Sequence, residues 1–168
     1  MTRMSGATHT YVGTVRWTGA HDAGTASYTA YSRDHEVVFD GRPVILGSSD
    51  PSFRGDPARH SPEELFLASL AQCHMLWFLH LASAAGVVVV AYDDDPTGTM
   101  RVESAGAGQF TDVTLRPRVV VASASQGAVA DDATLASLHG AAHDHCFIAR
   151  SVNFPVVHEP APVRVRDA

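Results

Sequence analysis

The first sixty residues carry short runs rich in aromatic, Val and Thr residues, separated by polar turns. Tyr11 to Trp17, Ala26 to Tyr31 and Glu36 to Phe39 read as strands, since such residues fit a pleated, half-buried surface. Asp40-Gly41 is a tight-turn signal before a short run at Val44 to Leu46. Residues 47–60 cluster Gly, Ser, Asp and Pro, which predicts a loop, and one long enough to suggest a functional role. The pattern then changes. Ser61-Pro62-Glu63-Glu64 is a helix start with a cap, a first-turn proline and a capping box. Apolar residues follow to Ala85, and Gly86 stops the helix, predicting a rod roughly 35 Å long.

Beyond it, Val87 to Tyr92 reads as a buried strand, broken by Asp93 to Asp95 and Pro96. Thr97 to Glu103 and Phe110 to Ala122 predict a hairpin through Gly106-Ala107-Gly108, with Val113, Leu115, Val119 and Val121 on one face. Asp131 or Asp132 caps a second helix reaching about His145, with Leu135, Leu138, His139 and Ala142 on one stripe. Residues 146–152 continue it or form a short helix, and Phe154 to Val165 is a final edge strand interrupted by Pro160 and Pro162.

This order predicts one α+β domain over residues 1–168, with an antiparallel sheet packed on a long central helix. A helix apolar all round needs cover on every side. One sheet and one further helix supply too little, so an intimate homodimer is expected.

Composition narrows the function. Apolar residues make up 45%, enough for a packed core, and the formal net charge is −6. An acidic chain lacks the clustered cations that phosphate binding requires, so no nucleic-acid partner is expected. Lysine is absent, and every basic side chain other than histidine is arginine. Residues 1–13 hold no apolar leader, which makes the cytoplasm the expected compartment. Residues 65–81 approach spanning length, but Ser69, Gln72, His74 and His80 interrupt them. A helix buried on nearly all sides, and no membrane partner, is the reading.

Two cysteines, Cys73 and Cys146, stand 73 residues apart. In a reducing compartment such a pair points to thiol chemistry or metal binding rather than a structural staple. A reactive thiol needs a nearby cation. Arg54 and Arg59 precede the helix, and Glu63 or Glu64 can hold a guanidinium by a forked ion pair. Glu63 and Cys73 lie ten positions, or ~15 Å, apart on one helix and cannot touch. Glu63 and Arg54 would therefore serve the cysteine of a second subunit, with two antiparallel helices crossing near Ala68, Ser69 and Ala71. His139, His143 and His145 make zinc the rival reading, but their spacing matches no structural zinc motif, so no metal and no cofactor are expected. No GxSxG supports a hydrolase.

The run Ser61 to Met75 (SPEELFLASLAQCHM) resembles the OsmC/Ohr family of osmotically inducible and organic hydroperoxide resistance proteins. His143 to Ala149 (HDHCFIA) resembles that family's second cysteine motif, and Phe53 to Asp56 the loop of its OsmC-type branch. The continuation His74 to Trp77 and the His-rich second motif mark a divergent OsmC-like subgroup. The resemblance implies an OsmC-like fold, an intertwined dimer and thiol-dependent reduction of organic hydroperoxides. It implies Cys73 as the peroxidatic and Cys146 as the resolving cysteine, joined by a disulfide in turnover. It also implies Glu63 as the residue holding the catalytic arginine. Arg54 is that arginine by the OsmC-type pattern, and Arg33 is the second candidate by the Ohr-type pattern. A dithiol, such as a lipoyl protein or a small thiol, would be the reductant. Phe53, Leu76, Trp77 and Phe147 are candidates to line an alkyl pocket, and each also fits a core. The rival expectation is an OsmC-fold stress or ligand-binding protein without efficient peroxidase activity.

Overall fold

The computed structural model describes residues 6–123 and 130–166; the N-terminal stretch considered above begins outside them. The chain falls into two compact units, Met1–Leu65 and Phe66–Ala168.

In the first unit, β1 (Thr14–Trp17), β2 (His35–Val38) and β3 (Ile45–Gly47) form an antiparallel sheet in that order. Gly41, at a φ of 67°, makes the turn into β3. The strand expected at Ala26 to Tyr31 is absent. Short-range bonds replace it: the Gly24, Ala26 and Ala30 amides donate to Ala20, Ala23 and Ser27 carbonyls. Tyr28 and Tyr31 there clasp Arg33, whose guanidinium lies 4.3 Å from both ring centres. The loop after β3 is an ordered structure. Asp50 caps a single 3-10 turn at Pro51–Phe53, and Ser48 bonds both Asp34 and the Asp56 amide. Gly55 has no alternative there, since a Cβ would collide with the Ser49 carbonyl.

Helix α1 runs Pro62–Ala84. The capping box forms as the sequence predicts: the Glu64 amide donates to Ser61 Oγ at 3.2 Å, and the Ser61 amide to Glu64 Oε2 at 2.9 Å. Gly86 turns the chain out at a φ of 76°. Its burial differs from expectation. Within one chain only Leu70, His74, Phe78 and Ala82 are buried, a single stripe of every fourth residue.

The second unit holds β4 (Val89–Asp94), β5 (Thr97–Val102), β6 (Gly108–Leu115), β7 (Pro117–Ala122), α2 (Asp132–His145), β8 (Val156–His158) and β9 (Arg164–Arg166). Two three-stranded sheets result, in the orders β4-β7-β9 and β5-β6-β8. The α+β class is as predicted, but these sheets are mixed rather than antiparallel. After α2 the chain returns parallel to β6 as β8, passes Pro160 and Pro162, and joins β7 in parallel as β9. The expected strand over residues 110–122 is two strands in different sheets, parted at Arg116, whose amide donates to Asp94 Oδ1 at 2.6 Å. Phe78, Ala82, Val87, Val119, Val121, Leu135 and Ala142 form one core cluster, and Leu70, Val113 and Leu115 another.

Candidate functional site

Cys73 lies midway along α1, and Cys146 is the C-cap residue of α2. Both are free thiols, and their side chains are in contact. Two residues 73 apart in sequence thus meet on the second unit. They sit in unequal surroundings. Cys73 is half-buried and Cys146 is 1% exposed. Burial, then the hydrogen bond with Cys73, pushes the Cys146 thiol up to about 11. The Ala149 amide points at its sulfur from 3.4 Å and offsets part of that rise. Near neutral pH Cys146 is therefore a protonated thiol.

The walls follow from helical spacing. Trp77 lies four residues after Cys73 and so shares its face of α1. Residues flanking Cys146 pack onto it, the His145 ring at 5.0 Å and the Phe147 ring at 5.5 Å between centres. Phe147 stays 66% exposed and Leu76 61%, so both are available to a ligand. On the other side of the Cys146 turn, His143, Asp144, Ala149 and Arg150 line an open pocket of about 330 Å³.

Five further expected residues belong to the first unit. Phe53 ends the 3-10 turn and is 42% exposed. Arg54 follows it in the left-handed conformation, at a φ of 69°. Its guanidinium lies 5.9 Å from the Tyr28 ring centre. Arg33 is committed, donating to the Tyr31 and Tyr28 carbonyls at 2.8 and 3.0 Å. Arg59 pairs with Asp34 and Asp56. Glu63 has a buried oxygen, Oε2, with no partner among the described residues, and no ion pair joins it to Arg54 there. The structure therefore brings the cysteines together but not the arginine and glutamate.

One constellation escaped the sequence reading. His74 and His139 are both buried, and His74 Nε2 lies 3.0 Å from His139 Nδ1. His139 stacks on Phe78 at 4.1 Å between ring centres, and His158 lies 5.5 Å from His74 and 5.7 Å from His143. Burial, then the neighbouring His158, depresses His74 to about 4, and burial, then His74, depresses His139 to about 3. Both are neutral at physiological pH. Among the described residues, no three His, Cys, Asp or Glu side chains are grouped to hold a metal ion. The signal was available: Leu70, His74, Phe78 and Ala82 are spaced by four, so His74 occupies a core position.

Residues 55–160 match the family model described as OsmC-like protein. Among solved structures, the chain is similar to an OsmC-like protein of unknown function from Vibrio cholerae. Identity is 35%, coverage 92% of this chain and 100% of that one, and the TM-score 0.81. It shares its fold with two more distant proteins. One is an organic hydroperoxide resistance protein OsmC from Legionella pneumophila (15% identity, 94% and 98% covered, TM-score 0.65). The other is the organic hydroperoxide resistance protein OhrB of Bacillus subtilis (20% identity, 91% and 98% covered, TM-score 0.61). No curated protein matches. Both cysteine motifs lie inside the matched segment, on the fold these structures share, and the chain belongs to the OsmC-like family.

Proposed function

We propose that this protein is a thiol-dependent peroxidase that reduces organic hydroperoxides, working as a cytoplasmic homodimer. The observation that carries the proposal is the contact between the Cys73 and Cys146 side chains, within a family that includes named organic hydroperoxide resistance proteins. The asymmetry of the two thiols supports an order of attack. Cys146 is buried and protonated, so the more exposed Cys73 attacks first. Its thiolate displaces an alkoxide from the O–O bond and becomes a sulfenic acid, and the alkoxide leaves as the alcohol. The Cys146 sulfur then attacks that sulfenic sulfur. A disulfide forms, and the sulfenic hydroxyl departs with the Cys146 proton as water. An external dithiol, a lipoyl protein or a small thiol, restores both thiols by exchange. Trp77 and Phe147, with Leu76, receive the alkyl group.

Arg54, held by Glu63, is the proposed cation beside the Cys73 thiolate. The unpartnered oxygen of Glu63 and the exposed position of Arg54 support it over Arg33, which two tyrosines and two carbonyls already hold. The dimer reading rests on α1. The helix is apolar and long enough by composition to pass as a membrane span, yet one chain buries only one stripe of it. A second copy crossing near Ala68, Ser69 and Ala71 covers the remainder and brings its own Glu63 toward Cys73. In this reading the two units act as one OsmC-like domain.

Stopped-flow mixing of the reduced protein with cumene hydroperoxide tests the proposal. Consumption far faster than that by free cysteine, abolished in Cys73→Ser, is the expected result. Oxidation at free-cysteine rates would leave an OsmC-fold stress or ligand-binding protein without efficient peroxidase activity.

A further inference from the structure

The His74–His139 pair is an odd choice for a core. One proton serves the 3.0 Å bond between His74 Nε2 and His139 Nδ1. If His74 donates, its Nδ1 is a bare lone pair and His139 Nε2 carries the hydrogen. If His139 donates, the roles reverse. Either way one buried N–H and one buried lone pair stay unpartnered among the described residues, at His74 Nδ1 and His139 Nε2. Leucine at both positions would fill similar volume without that cost. The pair is therefore poorly explained by stability alone.

Its placement explains it better. His74 follows Cys73 directly on α1, and His139 precedes Cys146 by seven residues, two helical turns. His139 and Cys146 thus lie on nearly the same side of α2, about 10 Å apart. Both meet successive residues of α1, His139 through His74 and Cys146 through Cys73. These two contacts fix how α2 crosses α1. The apolar packing around them is non-directional and tolerates sliding, whereas a hydrogen bond between two stiff rings does not.

We propose that His74 and His139 are positioning residues whose hydrogen bond sets the crossing of α2 over α1 and so holds the Cys146 sulfur against Cys73. This deepens the peroxidase reading and rests on it for its biological role, but its physical content is the ease of closing the Cys73–Cys146 disulfide. His139 stacked on Phe78, one turn beyond His74 on the same α1 stripe, keeps its ring from rotating out of the bond.

The test is redox equilibration of the full-length protein with dithiothreitol, which needs no peroxide turnover. His74→Leu and His139→Leu remove the bond. His139→Asn places an amide where Nδ1 stands, and His74→Gln places one where Nε2 stands. The expected result is a disulfide equilibrium constant at least about tenfold lower in each Leu variant, a potential about 30 mV less negative for a two-electron couple. The Asn and Gln variants should stay within about threefold of the parent, a rescue that a volume effect would not give. Folded Leu variants within threefold of the parent, or amide variants no better than the Leu ones, would overturn the proposal. Where a Leu variant does not fold, His139→Gln, whose amide misses the Nδ1 position, replaces it under the same threshold. A parent protein inert to hydroperoxide yet sensitive to these substitutions would remove the peroxidase reading and leave this one intact.

Discussion

At the scale of single residues, the two sulfurs differ because their surroundings differ. Cys146 is sealed under its own turn and held to about 11, so its thiolate is scarce at neutral pH. Iodoacetamide should alkylate Cys73 well before Cys146 between pH 7 and 9, read by peptide mass spectrometry. Equal labelling would contradict the assigned order. The buried histidines give a second prediction. His74 and His139 titrate near 4 and 3 when folded, against an ordinary value of 6.5. Groups depressed on folding stabilise the protein fully above 6.5 and lose that contribution as pH falls toward 4 and 3. Each steepens the loss by up to about 1.4 kcal/mol per pH unit. His158 from β8 lies against both rings and, with His143 from α2, acts as like charge that lowers His74 further, and Tyr92 from β4 offers no counter-charge. Denaturant unfolding across pH 4–7 should show this slope in the parent protein and a much flatter one in a His74→Leu, His139→Leu double variant.

At the scale of elements, α1 was the most legible part of the chain, because local chemistry writes its start and its stop. Ser61→Ala should cost about 1 kcal/mol in denaturant unfolding, since it strips Oγ from the Glu64 amide. Other elements were hidden for definable reasons. Alternation passes unbroken from Val113 and Leu115 through buried Pro117 to Val119 and Val121, so periodicity alone gave no break between β6 and β7. Only Pro117, with no amide to donate, signalled a new strand. The aromatic run Ala26 to Tyr31 matched strand composition, but its tyrosines embrace Arg33 instead of pairing with a neighbour. The cysteine motifs were visible as residues, while the contact between Cys73 and Cys146 depends on how α2 crosses α1, which no short window encodes. The sequence puts His139 on one stripe of α2 with Leu135, Leu138 and Ala142, but its bond to His74 leaves no local pattern, because the partner comes from another helix.

At the scale of the whole molecule, the apolar surface of α1 outside its one buried stripe argues for a second copy. Sedimentation equilibrium should give twice the chain mass, and Ala68→Arg at the proposed crossing should yield monomer and lower the rate with cumene hydroperoxide at least about tenfold. A monomeric parent protein with full activity would contradict the shared site. More narrowly, Cys73 and Cys146 are proposed to form one redox unit. Intact and peptide mass spectrometry after one equivalent of cumene hydroperoxide tests it most directly. The expected product is a chain lighter by two hydrogens, with peptides joined through Cys73 and Cys146. A chain that keeps both thiols, or one carrying a sulfinic acid on Cys73 beside an untouched Cys146, would contradict it.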